Sequence, residues 1–138
     1  MVETVDSQKL ALKLHKELLK IERAEPLKVL VQVLTGDEDS KHGVIPAEVP
    51  ALVQFIQKEC PTLAFSGLMS MGLLNDIEGF KKMKQMRTEL AEKTGVAEED
   101  FVLSMGTSMD FESAIKEGST QVRLGSTIFG ARNYPKKE

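Results

Sequence analysis

The chain has 138 residues and a mass of 15.3 kDa, enough for one domain but short of a standard closed (β/α)₈ barrel. Apolar residues make up 41% and charged residues 28%, which excludes a disordered chain, a collagen or a coiled-coil rod. The 18 basic residues against 21 acidic ones give a net charge of −3, with no basic surplus for a nucleic-acid partner.

A short strand is expected at residues 2–5, before Asp6 or Ser7 caps a helix with Leu10, Leu14, Leu18 and Ile21 on one stripe. Pro26 stops that helix, and the apolar run 27–34, with three valines, reads as a strand buried on both faces. A polar loop at 35–43 leads to a second helix near 47–60, with Val49, Val53 and Ile56 facing inward. Residues 63–71 form the next predicted strand. A helix follows over 76–94, with Phe80, Met83, Met86, Arg87 and Leu90 in its pattern and Gly95 as its stop. A strand at 101–105, a helix from Asp110 to Gly118 and a last strand at 120–124 complete the alternation, before Ile128-Phe129 and a basic tail. Strands separated by helices imply an α/β fold with a parallel sheet and right-handed crossovers. An open doubly wound sheet and a barrel both fit, and nothing resembling a linker divides the chain.

The single cysteine, Cys60, cannot form an internal disulfide, and no apolar run reaches the length of a membrane span. The opening Met1-Val-Glu-Thr-Val-Asp6 lacks the basic and apolar regions of a signal peptide. A cytoplasmic chain with no membrane partner is expected.

In either architecture ligands gather beyond the carboxyl ends of the strands, which selects the loops 35–43, 69–75, 105–110 and 125–127. Gly106-Thr-Ser108 and Gly125-Ser126-Thr127 combine small residues, hydroxyls and free backbone N–H groups, the ingredients of a phosphate cup. Helix capping by Ser108 and Asp110, with a simple turn at Gly125, explains the same residues. Arg123 points opposite to Val122 and Leu124, toward the ligand side if those two face the helices; an ion pair with Asp110 or Glu112 is the alternative. His15 reads as a boundary residue, His42 has no obvious partner, and no His/Cys spacing suggests a metal.

Leu103-Ser-Met-Gly-Thr-Ser-Met-Asp-Phe-Glu-Ser-Ala-Ile115 resembles the LSMGMSxDFxxAI stretch of the pyridoxal phosphate homeostasis proteins. These form the YggS-like family, also called proline synthase co-transcribed homologues. Gly118-Ser-Thr-Gln-Val-Arg-Leu-Gly-Ser-Thr-Ile-Phe-Gly-Ala-Arg132 is similar to the family's GSTxVRIGxxIFGxR signature. Val31-Gln-Val33, Glu38-Asp-Ser-Lys-His-Gly43 and Phe65-Ser-Gly-Leu-Met69 match in the same order, and Val5-Asp-Ser7 resembles the entry to the family's fourth strand. The resemblance implies a partial (β/α) barrel of the alanine racemase N-terminal-domain type, roughly strands 4 to 8, with outer helices. It implies that pyridoxal 5′-phosphate (PLP) is held at the strand ends. Ser108 with backbone groups at Gly125 and Ser126 would take its phosphate, and Arg123 its pyridine nitrogen. An arginine there leaves the ring nitrogen unprotonated and the cofactor a poor electron sink.

The family role implied is a non-catalytic carrier in PLP (vitamin B6) homeostasis. On this reading residues 1–138 form one partial barrel domain that starts at about the fourth strand, without the family's imine lysine and its GEN and HFIG-type motifs. Leu34 for a usual asparagine, Gly36-Asp37 for a Ser-Gly pair and Thr107 for a methionine are further departures. Lys41, Lys136 and Lys137 are the candidate substitute lysines. A partial barrel is expected to leave its inner apolar face partly open and to associate as a homo-oligomer through exposed sheet edges. An amino-acid racemase would need the missing lysine and a second acid–base residue. An interaction-only fragment without cofactor is the competing expectation.

Overall fold

The computed structural model describes residues 1–36 and 42–131. Its elements are β1 (Val2–Val5), α1 (Gln8–Lys20), β2 (Leu27–Gln32), α2 (Val49–Glu59), β3 (Leu63–Met69), α3 (Ile77–Thr94), β4 (Val102–Thr107), α4 (Phe111–Lys116), β5 (Gln121–Arg123) and α5 (Ser126–Phe129). The strands form one parallel sheet in the order β1-β2-β3-β4-β5, so each crossover helix returns the chain to the neighbouring position. This is a half-barrel, as the alternation and the motifs together imply.

Local chemistry sets the element ends. Ser7 Oγ accepts from Leu10 N at 3.3 Å and caps α1, so Ser7 takes the role that sequence divided between Asp6 and Ser7. Asp76 caps α3 by accepting from Gly79 N at 2.8 Å, and Gly95 ends it in the left-handed region at φ 68°. Ile21 does not join the inner stripe of α1. It falls on the residue that ends the helix and is exposed, while Ala11 and Leu18 carry the buried contact. β3 stops at Met69 rather than 71, because Ser70 Oγ turns the chain by accepting from Gly72 N at 3.1 Å.

Val29 and Val31 of β2, and Val33 just after it, pack with Leu68, Leu103 and Met105 against Val49, Val53 and Ile56 of α2 and Phe80 and Met83 of α3. That is the sheet–helix core. On the concave face, which was expected to stay partly open, Glu3, Gln121 and Arg123 are half-buried, while Leu30, Met69 and Ser104 are buried. The cause is the curl of the sheet. Glu3 on β1 accepts from Ser104 Oγ on β4 at 2.9 Å and from Gln121 Nε2 on β5, so side chains of the first and last strands meet across the face. Close strand approach at β3 and β4 requires Gly67, whose φ is 148° and where an added Cβ would sit 1.9 Å from Val102 O. Among the described residues no helix is long and apolar enough to cross a membrane.

Candidate functional site

β4 ends at Gly106 and Thr107 over the start of α4. Gly106 has φ 94°, and a Cβ on it would lie 2.6 Å from Ala114 Cβ, so glycine is what lets the strand pass this close to the helix. Asp110 immediately precedes α4, yet its side chain makes no capping bond to it. Its Oδ1 accepts from Thr107 N at 2.7 Å and Thr107 Oγ1 at 3.0 Å, and its Oδ2 accepts from Asn75 N at 3.1 Å. A buried carboxylate thus ties the β4–α4 loop to the β3–α3 loop. Asp110 is therefore a cross-loop brace rather than the helix cap that its position suggested.

Ser108 projects from this braced loop, and it too does not cap α4. Its Oγ accepts from Gly125 N at 2.9 Å and Thr127 N at 3.2 Å, so two N–H groups of the β5–α5 loop converge on one oxygen. Sequence reasoning named Gly125 and Ser126. Gly125 N is brought to Ser108 and the Thr127 N–H joins it, while the Ser126 carbonyl accepts from Gly130 N at 2.9 Å.

Arg123 lies in register with Thr107, directly before this loop. Its hydrogen-bond partner on β4, Ser104, sits between Leu103 and Met105, which face the helices, so the guanidinium lies on the concave side. Nη1 donates to Ser104 Oγ at 2.9 Å and Nη2 to Ser70 O at 2.8 Å. Burial weakens the guanidinium's hold on its proton, and the negative charges of Glu3 and Asp110 work against that. Among the described residues Arg123 has no carboxylate at ion-pair distance, so the alternative pairing with Asp110 or Glu112 is not formed. Glu3, Ser70 and Ser104 were not found by sequence reasoning. The period-two alternation of β4 could have placed Ser104 on Arg123's face, but nothing in the spacing brings Glu3 there.

The remaining candidates are structural or lie elsewhere. His15 Nδ1 is 2.7 Å from Thr62 Oγ1 and joins α1 to the lead-in of β3. His42 contributes its carbonyl, which accepts from Gln32 Nε2. Met69, Met83 and Met105 are core, whereas Met71 and Met109 are exposed at the strand ends. Cys60 is buried, and apolar surroundings push its thiol above the usual value. Lys41, Lys136 and Lys137 fall outside the described residues. Lys28 is the one strand lysine among the described residues, and it stands at the start of β2, the opposite end from the loops of the site. Hollows of about 330 and 480 Å³ between α2 and α3 include none of the residues that surround Ser108 and Arg123.

Residues 1–133 match the family model of the alanine racemase N-terminal domain. The chain belongs to that family. Among its relatives, the pyridoxal phosphate homeostasis protein of Mus musculus is 50% identical over 99% of this chain and 52% of its own length. A crystal structure of an unknown protein from Bifidobacterium adolescentis is 32% identical with a TM-score of 0.81, covering 92% of this chain and 51% of that one. PipY of Synechococcus elongatus, solved with PLP bound, is 25% identical with a TM-score of 0.78, covering 93% of this chain and 59% of that one. The resemblance carried by the motifs is borne out. The chain spans about half the length of the curated relatives it matches.

Proposed function

We propose that this chain binds PLP without catalysing a reaction on it and acts as a carrier in cellular PLP homeostasis. The observation that carries the reading is the convergence of Gly125 N and Thr127 N on the Ser108 oxygen, in the loop that directly follows Arg123 with its half-buried guanidinium. An oxygen acceptor already stands where those N–H groups point, which is the chemistry of a phosphate oxygen. Ser108 with the backbone N–H groups of Gly125, Ser126 and Thr127 would hold the phosphate. Arg123 uses two of its five N–H donors on Ser104 and Ser70, which leaves donors for a ring nitrogen. The residues present therefore fit the cofactor.

Bound PLP supplies a reactive aldehyde and an aromatic ring able to accept electrons. An arginine at the ring nitrogen donates a hydrogen bond but no proton, which restrains that electron demand and suits storage better than turnover. The name of the Mus musculus relative is that of a homeostasis protein, and PipY carries PLP in its solved structure. The binding mode proposed is non-covalent at these residues. A cytoplasmic setting accords with a single, buried, unpaired thiol.

Titration of the chain with PLP, followed by absorbance and competed with inorganic phosphate, tests the reading. Saturable binding displaced by phosphate is expected, and Ser108→Ala should weaken it about tenfold, as for loss of a hydrogen bond to a charged group. Binding that phosphate does not displace, or none at all, would overturn the reading in favour of an interaction-only role.

A further inference from the structure

Glu3 sits on β1, and its carboxylate is committed on the far side of the concave face. Its Oε2 accepts from Ser104 Oγ at 2.9 Å and its Oε1 accepts from Gln121 Nε2. Ser104 Oγ also accepts from Arg123 Nη1 at 2.9 Å. A hydroxyl has one proton, and an ionised carboxylate can only accept, so the Ser104 proton points at Glu3 and a lone pair is left for Arg123. Ser104 is fully buried, so water does not compete for either bond. The chain Gln121 to Glu3, Ser104 to Glu3 and Arg123 to Ser104 thus has one consistent direction. With Nη2 held by Ser70 O at 2.8 Å, both terminal nitrogens of the guanidinium are anchored.

We propose that Glu3 is a positioning residue for Arg123: it orients the Ser104 hydroxyl and so fixes the guanidinium that meets the aromatic ring nitrogen of the ligand. This rests on the PLP reading above for the identity of the ligand, but the claim about Arg123 itself concerns the unliganded chain. Burial disfavours the charged guanidinium, and Glu3 is the first of the two carboxylates that offset this, which agrees with the geometry. The role divides the site in two. The Ser108 loop addresses the phosphate end and makes no bond to Glu3, whereas the Glu3 relay addresses the ring end.

The test uses Glu3→Ala and Glu3→Gln, each checked for native melting. Glu3→Gln can still accept from Ser104, with Gln121 turning its amide to match, so it keeps the orientation while losing the charge. In the unliganded chain, nitrogen-15 NMR of the Arg123 side chain should show slow guanidinium rotation in the wild type and Glu3→Gln. Glu3→Ala should show faster rotation and faster proton exchange. With PLP, Glu3→Ala should bind about tenfold more weakly with a shifted absorption band, while inorganic phosphate affinity stays within about twofold. In an Arg123→Gln background the Glu3 substitution should have no further effect on PLP. Unchanged Arg123 dynamics in a folded Glu3→Ala chain would overturn the proposal, as would equal losses for PLP and phosphate. Wild-type chain that shows the slow Arg123 rotation but binds no PLP would sink the ligand reading and leave the positioning role standing.

Discussion

At the scale of single residues, the site depends on polar side chains that each serve a loop other than their own. Ser108 receives N–H groups from residues 17 and 19 positions away, and Asp110 reaches 35 positions back to Asn75. Replacing Asp110 by Ala removes the buried carboxylate that accepts from the Thr107 and Asn75 N–H groups. A loss of about 1–3 kcal/mol in urea unfolding is expected, together with weaker PLP binding because the Ser108 loop loses its brace. Full PLP affinity in a destabilised Asp110→Ala chain would show that the brace serves the fold alone. Ser108→Ala, by contrast, should alter binding with little change in melting, since its hydroxyl bonds lie at the surface. Cys60 gives a pH prediction. Burial raises the thiol's folded pKa above its unfolded one, so its contribution to stability is full below the unfolded value and is lost as pH rises past it. At about pH 8 iodoacetamide should leave Cys60 unmodified in the native chain and label it fully in urea. Rapid labelling of the folded chain would contradict its placement.

At the scale of elements, helix and strand identities were legible wherever a period ran long enough to be read. β2 shows this well: Val29, Leu30 and Val31 are all buried, as an uninterrupted apolar run demands of a strand covered on both faces. α3 carries its own start and stop in Asp76 and Gly95. The four-residue α5 has no period to read and was missed. Ile21 was misplaced because its spacing continues the stripe past the point where the helix ends. Ser7→Ala removes the cap of α1 and should cost about 1 kcal/mol by denaturant unfolding. No change would mean that Asp6, not Ser7, holds that terminus. On α3, Arg87 donates to Glu98 Oε1 at 2.8 Å and to Gly118 O at 3.3 Å, pinning the helix to the turn before β5. This is why Arg87 falls in the inner pattern of a helix whose other members are apolar.

At the scale of the molecule, sequence alternation fixes neither curl nor closure. Position along the chain identified Arg123 and Ser108 as strand-end residues. The side-chain chord from Glu3 to Ser104 and Gln121 exists only because the sheet bends β1 toward β5. The same bend buries Leu30 and Met69, which a flat sheet would expose. β1 and β5 nevertheless remain the outer strands of the sheet, and the exposed Ile128 and Phe129 lie just beyond β5. Unpaired edges of this kind favour pairing with a second strand, so we propose self-association of this chain through them. Sedimentation should show a mass that rises with concentration, and a strictly monomeric chain across the accessible range would contradict it.

The central claim is that the β4 and β5 strand-end loops form a phosphate cup beside a fixed arginine. The most direct measurement is a PLP titration of the wild-type chain in the presence and absence of inorganic phosphate, repeated with Ser108→Ala. The account predicts saturable binding, displacement by phosphate, and about tenfold weakening in the variant. PLP binding indifferent both to phosphate and to Ser108 would place the cofactor elsewhere and contradict it.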